Sequence, residues 1–177
     1  MICTIRRFLQ QSFRKIWPWR QNAPDHLNFS FCFGDAAMNG KSNTHDGGCY
    51  CGAVRYRIQG VPDFSAHCHC RSCQLALGGA FVTWAKIPAG NFSVTKGKIK
   101  ICEKTPGIRR GFCGDCGTTL TYAADHVVEG QDWSKDAWFT AVTLDDPTIV
   151  SPQNHVFVSH KQPWITLPEG APAFDTF

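Results

Sequence analysis

The chain reads as a mostly-β domain built around metal ions. Three observations predict it: short runs in which apolar and polar residues alternate, Gly, Pro and Asp turns between those runs, and seven of ten cysteines gathered into three tight clusters. Taken in order, residues 53–58 set Val54, Tyr56 and Ile58 against Arg55 and Arg57. Further strands are predicted at 80–87, 92–95, 98–103, 109–112, 118–122, 138–143 and 155–159. Turns fall at Gly60-Val61-Pro62, Pro88-Ala89-Gly90, Pro106-Gly107 and Asp145-Asp146-Pro147. One short helix is expected from Arg71 to Leu77, stopped by Gly78-Gly79. Extended backbone ahead of it turns Cys68 and Cys70 to one side and His67 and His69 to the other. Cys73 returns from the turn that opens the helix, whose partial positive charge favours anionic sulfur. Trp84, Trp138 and Trp164 are expected to pack in the core, and Cys102 to behave as a small buried hydrophobe.

The clusters are Cys49-x-Cys51, Cys68-x-Cys70-x-x-Cys73 and Cys113-x-x-Cys116. A closed structural zinc site takes four protein ligands and an open one three, and seven is four plus three. Pairing Cys49 and Cys51 with Cys113 and Cys116 gives a closed site that ties together segments about 60 residues apart. Cys68, Cys70 and Cys73 then form an open site. Disulfides are the rival reading, but cysteines one or two residues apart suit disulfide geometry poorly and no secretory signal is recognised. Cys113-x-x-Cys116 taken alone has the spacing of a redox pair, without the βαβ setting such a pair needs. Iron, which also accepts four sulfurs in a tetrahedron, stays open as an alternative metal for the closed site.

Length and an apolar content of 43% suit one soluble domain with a real core. No stretch approaches the apolar length of a membrane span. The formal charge is +4, of which residues 1–37 hold +3 through Arg6, Arg7, Arg14, Lys15 and Arg20 against Asp25 and Asp35. That leading segment spaces Ile5, Phe8, Leu9, Phe13 and Ile16 like a basic amphipathic helix or a transit leader. The reading preferred here is a poorly ordered extension, or one absent from a product begun at Met38. The remainder is near neutral, and its short lysine stripe, Lys96, Lys98, Lys100 and Lys104, reads as a solvated strand edge, so a nucleic-acid partner is not expected.

Gly48-Cys49-Tyr50-Cys51-Gly52-Ala53-Val54-Arg55-Tyr56, Cys68-His69-Cys70-Arg71-Ser72-Cys73 and Phe112-Cys113-Gly114-Asp115-Cys116-Gly117-Thr118 together resemble the glutathione-dependent formaldehyde-activating enzyme family, which includes centromere protein V. The likeness runs from about Gly47 to about Phe174, through His155-Val156-Phe157 and Lys161-Gln162-Pro163-Trp164, and holds all seven family cysteines in order. It divides the chain into an N-terminal extension, residues 1–44, and a zinc-binding domain, residues 45–177. The resemblance implies a zinc-bound β-tent of small antiparallel sheets with two Zn2+ per chain. Structural zinc would be held by Cys49, Cys51, Cys113 and Cys116, and a second zinc by Cys68, Cys70 and Cys73. It also implies the joining of glutathione and formaldehyde to S-hydroxymethylglutathione, a carbon–sulfur lyase reaction when run in reverse.

Three thiolates make zinc a weak Lewis acid and a poor source of hydroxide, which argues against hydrolysis and suits a soft ligand such as a substrate thiol. Glutathione's two carboxylates call for cations: Arg71 stands inside the open cluster, with Arg55, Arg110 and Lys161 in reserve. Strand alternation turns His69 outward; the alternatives are that it donates a proton to the nascent alkoxide or completes the zinc shell. The competing function is a non-catalytic zinc-binding module that contacts a protein or nucleic acid. Free thiols in either case point to the cytoplasm, and the oligomeric state is left open.

Overall fold

The alternation at residues 53–58 is realised in the computed structural model, which describes residues 43–125, 127–128, 131–152 and 154–177. The leader, Met38, Cys3 and Cys32 lie outside the described residues. In chain order the strands are β1 (Thr44–Gly48), β2 (Arg55–Gln59), β3 (Phe64–Cys68), β4 (Val82–Pro88), β5 (Phe92–Lys96), β6 (Ile99–Thr105) and β7 (Ile108–Cys113). They continue with β8 (Thr119–Ala124), β9 (Val127–Val128), β10 (Gln131–Asp132), β11 (Asp136–Thr140), β12 (Asn154–Val156) and β13 (Ala173–Phe174). The α-helix among the described residues, α1 (Arg71–Leu77), follows β3 and ends at Gly78, whose φ is 68°.

A three-stranded antiparallel sheet runs β1-β2-β5, and an eight-stranded sheet runs β13-β12-β3-β4-β11-β8-β7-β6. Pairings in the larger sheet are antiparallel except at one edge, where β12 lies parallel to both β3 and β13. The mostly-β expectation holds.

Period-two alternation gives the large sheet two covered faces. Along β4, Ala85 and Ile87 turn to one face while Val82 and Trp84 turn to the other; on β11, Phe139 and Trp138 divide in the same way. The first core packs the small sheet on the large one through Tyr56, Ile58, Leu120 and Phe139. Tyr56 stacks on Phe92 with ring centroids 5.0 Å apart, and its hydroxyl shares a 2.8 Å hydrogen bond with Thr143 Oγ1. The second core holds Ala66, Trp84, Trp133, Trp138 and Val156 together with Cys68 and Cys73, so the open cluster is anchored in apolar packing.

Several expectations need correction. Trp164 is 71% exposed rather than buried, because the coil after residue 160 offers it no sheet face. Cys102 is exposed on β6, an outer strand of the large sheet that Lys100 and Lys104 guard. Strand 138–143 stops at Thr140 and becomes a 3-10 turn over Ala141–Thr143. Strand 155–159 stops at Val156, where Phe157 takes a left-handed φ of 56° and opens a 3-10 turn over Val158–His160. The polar run of β1 carries no alternation to read; its pairing with β2 makes it a strand.

Candidate metal centres

Four sulfurs meet where two reverse turns face each other. In the first turn, between β1 and β2, Gly52 N–H donates to Cys49 O at 3.0 Å and Val54 N–H donates to Cys49 Sγ at 3.2 Å. In the second, between β7 and β8, Gly117 N–H donates to Cys113 O at 2.9 Å. Gly52 and Gly117 sit at φ 73° and 77°, a backbone conformation a side chain would resist, and this lets each loop fold its cysteines inward. Cys49 Sγ lies 3.5 Å from Cys51 Sγ, which lies 3.8 Å from Cys113 Sγ, and all four sulfurs fall within 4.8 Å of one another. A tetrahedron with Zn–S bonds of about 2.3 Å has edges of about 3.8 Å, so the donor set fits zinc. Every described cysteine is free, as metal binding requires.

Thr118 shows how this site favours anionic sulfur. Its Oγ1 accepts the Tyr50 N–H at 3.1 Å, which leaves its own proton to donate to Cys116 Sγ, also at 3.1 Å. Burial works against ionisation of Cys116, and the Thr118 hydroxyl and backbone N–H, with the Cys51 backbone, outweigh it and bring the thiol down to about 6.

The other three sulfurs come from one strand–turn–helix corner. Cys68 ends β3, Cys70 is the N-cap of α1 with its Sγ accepting the Cys73 N–H at 3.3 Å, and Cys73 lies in the first turn. Cys68 and Cys73 sulfurs stand 3.8 Å apart and are buried, whereas Cys70 is half-buried. Among the described residues the trio has no fourth protein ligand within reach, the arrangement of an open site. Hydrogen bonds from Cys68 and Cys70 hold the Cys73 thiol far below its ordinary value against the effect of burial, with Trp84 and Arg110 assisting. Hydrogen bonds with Cys70 and with Cys73, together with burial, push the Cys68 thiol up. Arg110 donates from Nη1 to that sulfur at 3.7 Å and from Nη2 to Ser72 Oγ at 2.9 Å, and lies over the Tyr122 ring at 5.0 Å.

His69 departs from expectation. β3 ends one residue before it, so strand alternation no longer applies, and His69 N–H donates to Val156 O at 2.9 Å. The imidazole is fully buried with Nε2 3.0 Å from His155 Nδ1, and it is neither outward nor a member of the sulfur group. Burial, with His155 and His67 adding, takes His69 down to about 4, and burial lowers His155 as well. An imidazole whose folded value lies below its unfolded 6.5 binds more protons when the chain is unfolded. His69 therefore contributes stability in full above pH 6.5 that is lost as pH falls through 6.5 toward 4, and His155 acts in the same direction. The unfolding free energy in urea, with zinc content held constant, is expected to decline from about pH 7.5 to about pH 5.5; a flat profile would contradict the buried neutral pair.

Arg71 is exposed and, among the described residues, donates only to Gln74 Oε1 at 3.3 Å, while Arg55 is committed to Asp145 and Lys161 donates to the Gln162 and Ile165 carbonyls. Gln74 was not singled out by sequence. Buried on α1, it donates to His69 O at 2.7 Å and His160 O at 2.9 Å and accepts from Gln162 Nε2 at 2.7 Å, which ties the trio's corner to the 157–165 segment. Gln74→Ala strands these partners and is expected to cost about 2 kcal/mol, measured by urea unfolding. Arg110's approach to Cys73 depends on the register that sets Arg110 opposite Tyr122, for which no local signal exists.

A cavity of about 600 Å³ lies at the other end of β3 against Phe64, Trp133, Trp138 and Phe177. Its cation, Lys86, is already held by Asp63 and Asp136, so chemistry and not volume locates the site at the cysteines. Among the described residues no helix is long and apolar enough to cross a membrane. The family model described as glutathione-dependent formaldehyde-activating enzyme matches residues 44–160, a span that contains both sulfur groups. With that match over most of its length and both cysteine groups assembled, the chain belongs to the glutathione-dependent formaldehyde-activating enzyme family.

Proposed function

We infer that the protein is a carbon–sulfur lyase-type enzyme that makes and cleaves a glutathione–aldehyde adduct, S-hydroxymethylglutathione when the aldehyde is formaldehyde. The observation that carries this reading is the trio of Cys68, Cys70 and Cys73 with no fourth described ligand, since an interaction module has no need of an incomplete metal shell. Zinc held there supplies a soft acceptor that keeps a substrate thiol deprotonated at neutral pH. The remaining work falls to the chain. Burial of Cys68 and Cys73 and partial exposure of Cys70 leave the approach on the Cys70 side, and the second core fixes the corner so that thiol and carbonyl meet in one orientation. In the reaction the thiol sulfur bonds to the carbonyl carbon, the C=O π pair moves to oxygen, and that oxygen takes up the proton the thiol gave up; cleavage reverses each move.

Zinc at Cys49, Cys51, Cys113 and Cys116 would be structural, and the free thiols suit a reducing compartment such as the cytoplasm. The test is metal content per chain, then X-ray absorption at the zinc edge with and without glutathione. Two zincs, one of whose shells gains a sulfur on adding glutathione, are expected. Shells indifferent to glutathione would instead favour a structural module, and iron in the four-sulfur site would favour electron transfer.

A further inference from the structure

We propose that Arg110 determines thiol specificity by receiving a carboxylate of the substrate, so that the site selects thiols bearing a carboxylate close to the sulfur over neutral thiols. The inference rests on the thiol-binding reading of the trio given above.

Charge pairing over the described residues isolates this side chain. Of the five described arginines, three are committed to aspartates: Arg55 to Asp145, Arg57 to Asp46 at 2.7 and 3.0 Å, and Arg109 to Asp125. Arg71 and Arg110 have no carboxylate partner among the described residues, and both flank the open sulfur trio. The two differ in preparation. Arg71 is exposed, and the one hydrogen bond its side chain makes among the described residues is to Gln74 Oε1 at 3.3 Å. Arg110 is half-buried, stacked on Tyr122 and fixed at two points, Ser72 Oγ and Cys73 Sγ. Its remaining N–H groups have no acceptor among the described residues.

A half-buried guanidinium without a carboxylate is costly unless something compensates it. The Cys73 sulfur does so in part, through a 3.7 Å bond to one nitrogen. The rest of the fork stays available, and planar, doubly donating guanidinium is the group best matched to carboxylate. Because one nitrogen already touches a trio sulfur, a carboxylate taken by the others lies close to the place where a substrate thiol would be held. A cysteine-containing peptide meets that requirement, while a simple alkyl thiol or an esterified peptide does not. Pre-fixing by Tyr122 and Ser72 lowers the ordering cost of binding, which makes this arginine a better receptor than the exposed Arg71.

The test is calorimetric binding of glutathione and of its diethyl ester to zinc-loaded wild-type protein and to Arg110→Ala and Arg110→Lys, with zinc content and melting checked for each variant. Wild type should bind glutathione about tenfold to a hundredfold more tightly than the ester. Arg110→Ala should lose that preference, glutathione binding falling by far more than ester binding, and Arg110→Lys should recover only part of it. Equal weakening for both thiols would reveal a merely structural role and overturn the proposal, as would preference for glutathione that survives in Arg110→Ala. Should Arg110→Ala lose zinc or fail to fold, Arg110→Lys and the wild-type comparison decide: no preference in wild type, or full preference in the lysine variant, overturns it. Failure of both thiols to bind wild type would overturn the thiol reading of the trio along with this one, whereas binding without discrimination overturns this one alone.

Discussion

Cys113→Ala is expected to leave the domain without a cooperative fold at room temperature. Cys113 is buried in the first core at the end of β7, and its sulfur stands 3.8 Å from that of Cys51, 62 residues earlier. The four sulfurs pin the β1–β2 turn of the small sheet to the β7–β8 turn of the large one. Structural zinc bound by such a set contributes about 10–16 kcal/mol in small domains. Domains have only about 5–15 kcal/mol of net stability. Losing one of the four sulfurs therefore removes a quantity comparable to the whole margin. Circular dichroism melting together with zinc content is the check: a cooperative melt within a few degrees of wild type would falsify the structural role of this site.

Cys70→Ser is expected to act in the opposite way, keeping the fold and abolishing activity. Cys70 is the N-cap of α1, and serine can accept the same Cys73 N–H, so the cap contribution of about 1 kcal/mol is retained. Its half-buried position makes it the least demanding of the trio to replace, since Cys68 and Cys73 belong to the second core. A serine hydroxyl is a poor soft ligand, so zinc should fall from two per chain to one. Loss of several kcal/mol of metal assistance corresponds to at least roughly a thousandfold in rate. The measurement is turnover of glutathione with formaldehyde followed by NMR, next to zinc content and melting. Activity within tenfold of wild type would remove the trio from the chemistry. The contrast between the two variants, one losing the fold and the other only the reaction, separates the closed site from the open one.

Much of this was legible because it is local. Each cysteine pair spans only a few residues, and the glycines after Cys51 and Cys116 mark the left-handed turn that gathers their sulfurs. The helix was legible at both ends, from Arg71 to Leu77, because its stop at Gly78 is a property of one residue. Tyr56 and Ile58 declared the buried face of β2 through strict alternation. Reading failed where a strand ended without a composition change. His69 was turned outward by extending the alternation of β3 past its last paired residue, Cys68, and Trp164 was assigned to the core by residue type alone.

By itself, then, the sequence determined the mostly-β class, the seven clustered cysteines and their division into four and three, because spacing within a turn decides what a turn can hold. Only the tertiary structure decided which cations are free. In the chain Arg71 stands out inside the open cluster and Arg55 and Arg110 do not, yet Asp145 neutralises Arg55, Arg71 is exposed, and strand register places Arg110 against Cys73. A charge takes its meaning from partners far away in sequence, which no local pattern encodes.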